Sequence, residues 1–251
     1  MKFVLFIVCV GLFCMPLATQ GQVQKAAVAL VVTGNKPTIS VSNNHTVAME
    51  AFLVTVKHPS AEKLTMGPVF YDVYTNYRRD QPISPGAQHQ IALPVLRGQE
   101  PPVATLQAAI FADGSSWGDP ARVQEILYAR QVLSDRLSEV SALLQTIAQQ
   151  KPTREQALAA IQTAWDAKKK ATPNLPIATA DEIDEIEAVD ASEESTRTAQ
   201  VYYHVISNLQ RNPAAVRDST DVTKFLLRMS GTLSHWNAEI QAAKPLLGNP
   251  K

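Results

Sequence analysis

The sequence predicts an α+β protein: an immunoglobulin-like antiparallel β-sandwich followed by an all-α helical bundle or a pair of helical hairpins. Two observations carry this. Residues 25 to 113 break into short segments rich in β-branched and aromatic residues, with alternating apolar character. From Asp119 onward the apolar period changes to that of a helix. A third observation concerns the start of the chain. Met1 to Gln22 reads as a leader, so the expected boundaries are a signal peptide over 1–21, a sandwich over 22–118 and a helical part over 119–251.

The leader has Lys2 as its positive start, an apolar run from Phe3 to Met15, and Pro16 with small or polar residues after it. A membrane-spanning helix needs about 20 apolar residues, so the run suits a cleaved signal rather than an anchor. Cleavage is expected near Gly21. Leu12 and Phe13 stand before Cys14, where a lipoprotein signal calls for a small residue. No later apolar run approaches spanning length, so the expectation is an exported chain, periplasmic or extracellular, with no membrane span after signal removal.

Six strands are expected: 27–33, 38–43, 49–57, 69–77, 89–95 and 103–112. In the third, Phe52, Val54 and Val56 share one face, with Thr55 and Lys57 on the other. In the fourth, Val69, Tyr71 and Val73 oppose Phe70, Asp72 and Tyr74. "SPGA" before the fifth suits a type II turn, with Pro85 fixing φ and Gly86 supplying φ > 0. Strand number and spacing suggest the immunoglobulin-like sandwich. The Cys–Trp–Cys pattern of antibody domains is absent.

"FADGSSWGDP" then reads as a joint. Asp113-Gly114 turns the chain, Asp119 caps a helix, and Pro120 takes its first position, where the missing N–H costs nothing. Trp117 is expected to pack over the seam between sandwich and helix.

In the helix that follows, Val123, Arg130, Leu137 and Leu144 repeat every seven residues, as do Ile126, Leu133, Val140 and Ile147. All are apolar except Arg130. The spacing predicts a helix of roughly 30 residues. "KPT" ends it, and Thr153 caps a second helix with a Leu158, Ile161 and Trp165 stripe. Thr179 and Glu182 fit a capping box for a third, running to about Gln210. Asp221 is expected to cap the fourth, with Val222, Phe225, Met229, Leu233, Trp236 and Ile240 on one side.

"ISPGAQHQIAL" and "LQAAIFADGSSWGDPARVQEILYAR" together resemble a group of secreted bacterial proteins in which an immunoglobulin-like domain ends in a "FADG…GD" stretch and enters a long helix. The resemblance covers about Asn43 to Arg130. It implies an architecture and brings no activity with it.

Both cysteines, Cys9 and Cys14, lie in the leader, so the exported chain would have no disulfide, thiolate nucleophile or cysteine metal site. Roughly 230 remaining residues are enough to bury a core without them. The formal net charge is +0, and loss of Lys2 leaves one more acid than base. That balance argues against nucleic-acid binding through phosphate contacts.

The acidic run from Asp181 to Glu194 holds eight carboxylates and no base. A cation surface is one reading. Calcium loops need a turn glycine, which this stretch lacks, and Ile183, Ile186 and Val189 recur as on a helix. A solvated acidic helix is the expected form. Lys168, Lys169 and Lys170 suit a helix carboxyl end, where they complement the dipole. No two of His45, His58, His89, His204 and His235 have metal-site spacing. Gly114-Ser115-Ser116-Trp117-Gly118 matches a nucleophile elbow in letters, but that elbow belongs to a parallel sheet. "NHT" at 44–46 is an N-glycosylation sequon.

No catalytic, cofactor-binding or metal residue is therefore assigned, and no cofactor is expected. The expected function is non-enzymatic: a binding, spacing or interaction module of the envelope or periplasm, joined to a protein partner or to itself. A periplasmic chaperone or envelope-assembly factor is the alternative, with "AVALVVT" or "HQIALPV" as an open sheet edge for a client strand. A hydrolase is the third reading.

Overall fold

The structure, a computed structural model, describes residues 25–33, 36–57, 65–75, 81–93, 102–171, 193–211 and 218–243. The expected signal peptide lies outside them, as do His58, the Thr179–Glu182 capping box and most of the acidic run. The described chain is α+β, with two antiparallel sheets before four helices. The strands are β1 (Ala26–Thr33), β2 (Lys36–Asn43), β3 (Met49–Lys57), β4 (Thr65–Asp72), β5 (Gln88–Ala92), β6 (Val103–Phe111) and β7 (Ser116–Gly118). The helices are α1 (Pro120–Gln149), α2 (Arg154–Ala171), α3 (Glu193–Arg211) and α4 (Ser219–Ala242).

One sheet has the order β1-β2-β5 and the other β4-β3-β6-β7. Their facing sides share a core. Ala26, Ile39 and Val41 of the first meet Phe52, Val54, Val56, Tyr71, Ala109 and Phe111 of the second. The alternation read in β3 and β4 is therefore real. Its other phase is buried too: Ala51, Leu53, Ala108 and Ile110 turn away from the first sheet and pack on Val123, Ile126 and Leu127 of α1. The larger sheet is thus covered on both faces, which is why β3 is nearly continuously apolar.

The Pro85-Gly86 turn forms as expected, with Gly86 at φ +75° and the Ala87 N–H donating to the Ser84 carbonyl at 3.0 Å. Four details differ from expectation. The fourth strand ends at Asp72, and residues 73–75 turn into the helical half. Ser116–Gly118 forms a strand paired to β6 rather than a plain loop. Trp117 lies half-buried against the core between the sheets, not over the sheet–helix seam, because its position on β7 turns it toward that core. Asp218, not Asp221, is the N-cap of α4: its Oδ1 accepts the Asp221 N–H at 2.9 Å. Two aspartates three apart both satisfy the cap pattern, and only the one with extended backbone can serve.

Asp119 caps α1 by accepting the Ala121 N–H at 2.9 Å, with Pro120 at the helix start. Thr153 and Gln156 cap α2 reciprocally. All eight seam positions of α1 are buried, Arg130 included. Leu133, Leu137, Leu144, Ile161, Trp165, Val205, Leu209, Leu226, Leu233 and Trp236 fill the centre of the helical bundle. Between α1 and α4, Ser141 Oγ lies 2.8 Å from both Ser230 Oγ and Ser234 Oγ, so small hydroxyls satisfy one another at the closest approach.

Candidate functional site

The one residue that breaks the apolar seam of α1 organises the junction between the sheets and the helices. Arg130 is 1% exposed and Asp72, at the end of β4, is 0% exposed. Arg130 Nε donates to Asp72 Oδ2 at 2.7 Å and Nη2 to Oδ1 at 3.2 Å, a side-on bidentate pair. Glu50 of β3, 7% exposed, brings a second carboxylate, with Oε2 at 3.6 Å from Arg130 Nη1. Tyr74 lies in the turn after β4. Its ring sits under the guanidinium, 4.7 Å from Cζ, and its hydroxyl donates to Glu50 Oε1 at 3.0 Å. Its N–H donates to Asp72 Oδ1 at 3.0 Å.

The same turn is held from two more helices. Trp236 Nε1 of α4 donates to the Tyr74 carbonyl at 2.7 Å, and Gln200 Nε2 of α3 donates to the Thr75 carbonyl. Arg197 of α3 lies over the Phe70 ring, 5.2 Å from its centroid. Residues 70–75 are thus gripped by α1, α3 and α4 together.

Burial pushes the Glu50 carboxyl above its usual range, against the pull of Arg130 and of the Tyr74 hydroxyl. Burial also pushes Asp72 up, opposed by the Arg130 charge and its hydrogen bonds. The Tyr74 phenol is raised well above its ordinary value by burial and by the Glu50 charge, so it stays a donor. Paired carboxylates beside a tyrosine and an arginine have the residue types of an acid–base site. Here, however, Asp72 is closed to solvent and bonded to Arg130, and Glu50 Oε2 and Arg130 Nη1 face each other at 3.6 Å without a hydrogen bond. What this arrangement does chemically is fix one half of the molecule to the other.

Folding raises the Glu50 pKa, so its contribution to stability is full below the unfolded value, about 4.3, and is lost as pH rises through the folded one. Relative to Glu50→Gln, the wild type should therefore lose stability as pH climbs from about 4 toward neutrality. Asp72 is present in both chains, and its charge repels that of Glu50 in the wild type alone, which works in the same direction. Urea midpoints measured for both across that range check it; a difference that moves the other way would mean Arg130 outweighs burial at Glu50.

The features singled out in the sequence lie elsewhere. Ser116 is exposed on β7 and faces Ile110 in antiparallel register, not at the top of a parallel sheet. His45 packs on Phe111 with ring centroids 4.5 Å apart, and its Nδ1 accepts the Val47 N–H. His89 packs on Tyr71 at 4.5 Å, His204 lies near Trp236, and His235 is exposed beside Glu239. Lys168 pairs with Glu139 and Lys169 with Asp166. Glu193 and Glu194, the last of the acidic run, open α3, and the rest of that run lies outside the described residues. Asn44 and Thr46 of the sequon are exposed. Among the described residues, no cluster of His, Cys, Asp and Glu has the grouping of a metal site. Nor is any described helix long and apolar enough to cross a membrane.

Fold and site together define an α+β protein whose sheet and helical halves are locked by a buried ion cluster. No family model matches the chain, nor does any curated protein or solved structure with which it was compared.

Proposed function

We propose that the chain is an exported, non-enzymatic interaction module, in which an immunoglobulin-like sandwich is carried rigidly on a helical base. The observation that carries this reading is the placement of the smaller sheet. Helix α1 packs on the β4-β3-β6-β7 sheet, and β1-β2-β5 lies on the far side of the shared core. Among the described residues its two edges are β1 and β5, the segments that sequence alone marked as candidate edges. Open edges of this kind bind extended segments through main-chain hydrogen bonds. The leader supplies the export.

A photo-crosslinking residue at Ala29 or Gln90, both exposed, should give covalent adducts in living cells once the leader is removed. The same residue at Thr163, exposed on α2, should not. Retention of the leader in the cytoplasm, or adducts from neither edge, would refute the reading. The chaperone alternative draws on β5, whose outer residues Gln88, Gln90 and Ala92 are exposed; it requires adducts at Gln90 with unfolded envelope proteins.

A further inference from the structure

We infer that β1 is a self-association edge, pairing antiparallel with β1 of a second copy to join two three-stranded sheets into one of six strands. The inference rests on the export reading for one point, the position of the mature N-terminus.

The backbone parity of β1 follows from its neighbours. The Asn44 N–H donates to the Lys25 carbonyl at 2.9 Å, in line with the register Ala26↔Asn43. Bonded residues alternate in an antiparallel pair. Lys25, Ala27, Ala29 and Val31 therefore direct their backbone groups at β2, and Ala26, Val28, Leu30 and Val32 direct theirs outward. The far side of β2 agrees: its odd residues face β5, with the Asn43 N–H on the Ala87 carbonyl at 3.0 Å and the Leu93 N–H on the Pro37 carbonyl at 2.9 Å. Among the described residues, β1 pairs with β2 alone.

Among the described residues, the other edges offer a second copy less. β4 carries Pro68, β7 has three residues, and β5 has five and runs directly toward Pro94. Proline and short length are the usual protections of an edge strand. β1 has neither. It is eight residues long, reads AAVALVVT, and holds no charge and no proline.

Chain length limits what the N-terminus can cover. Cleavage near Gly21 leaves Gln22, Val23 and Gln24 ahead of Lys25, which reach at most about 10 Å when extended. An eight-residue strand is about 26 Å long. The chain's own N-terminus is too short to lie along the edge.

A second copy fits it. With a two-fold axis through Ala29, Val28 of one copy faces Leu30 of the other and Ala26 faces Val32, so every outward backbone group meets an outward backbone group. Ala29 faces itself in a non-bonded pair, the closer kind. Its side chain is small and exposed, and no like charges meet anywhere along the strand.

The test is a charge swap at the axis. Wild-type protein purified after export, its N-terminus read by mass spectrometry, should dimerise in sedimentation equilibrium. Ala29→Lys and Ala29→Glu should each weaken the dimer about tenfold or more, because like charges then face each other. An equimolar mixture of the two should restore it. Hydrogen exchange should report slow Val28 and Leu30 amides in the wild type and fast ones in Ala29→Lys. A wild type that stays monomeric, a dimer indifferent to residue 29, or a mixture that fails to reassociate overturns the inference. So does a foreign peptide bound stoichiometrically to the monomer and lost in Val28→Pro. A retained leader would show separately, in the mass of the N-terminus.

Discussion

Replacing Arg130 with Met should cost the folded chain about 3–5 kcal/mol, and replacing Asp72 with Leu in the same molecule should return most of that loss. The first half follows from burial. Asp72 is fully covered, and removing its cation strands a carboxylate where no water reaches it. Glu50 adds a second negative charge 3.6 Å from the vacated Nη1 position. The second half follows because desolvation of an ion pair largely cancels its attraction, so two apolar residues of similar volume replace it at small net cost. Recovery stays partial for two reasons, the first being that Glu50 keeps its carboxylate without the cation beside it. Asp72 also accepts the Tyr74 N–H, and losing that acceptor leaves a buried donor worth about 1–3 kcal/mol. Urea denaturation of wild type, both single variants and the double variant gives the coupling directly. If the two single losses simply add, the pair does not act as a unit, and the clamp between sheet and helix has to be sought in Trp236 and Gln200.

Half of that clamp was visible in the sequence. Arg130 occupies a position where seven equivalents are apolar, and a cation there demands a buried partner or a break in the helix. Its partners were hidden by the alternation that located the strands. Asp72 and Tyr74 fall in phase with Phe70 on the face opposite Tyr71, and polar residues on an alternate phase read as solvent-facing. Period two says which residues share a face; it does not say what covers that face. Only the packing of α1, α3 and α4 on the end of β4 turns Asp72 inward. The strand β7 escaped for a local reason. Its three residues end on Gly118, four after Gly114, so the stretch carries turn signals stronger than any strand propensity, and it pairs only because β6 is already in place beside it. Trp117 was misplaced with it, since a loop residue at the joint points to the seam while a β7 residue opposite Ala109 points between the sheets.

Gly118→Ala should be the most damaging single-methyl change in the joint, at about 4 kcal/mol. Gly118 has φ +101°, a region that costs a residue with a side chain about 1–3 kcal/mol. A Cβ there would also stand 2.1 Å from the Gln107 carbonyl oxygen and 2.9 Å from Ala108 Cα, both backbone atoms of a central strand. Relieving that overlap means moving β7 off β6, which adds about another 1–3 kcal/mol by analogy with overpacking. The Asp119 N–H donates to the same Gln107 carbonyl at 2.8 Å, so displacement would reach the N-cap of α1 as well. Gly86→Ala is the matched control. Gly86 has φ +75° with nothing within 4 Å of its Cβ position, and only the conformational part, about 1–2 kcal/mol, applies. Thermal or urea unfolding of the two variants separates strain from contact. Equal losses would mean that β7 yields without cost and that α1 takes its direction from the Arg130–Asp72 pair alone. A markedly larger loss at Gly118 would mean that the close approach of Gly118 to β6 sets the angle at which the chain leaves the sheet, and so brings Arg130, roughly three turns along the helix, over the carboxylate that waits for it.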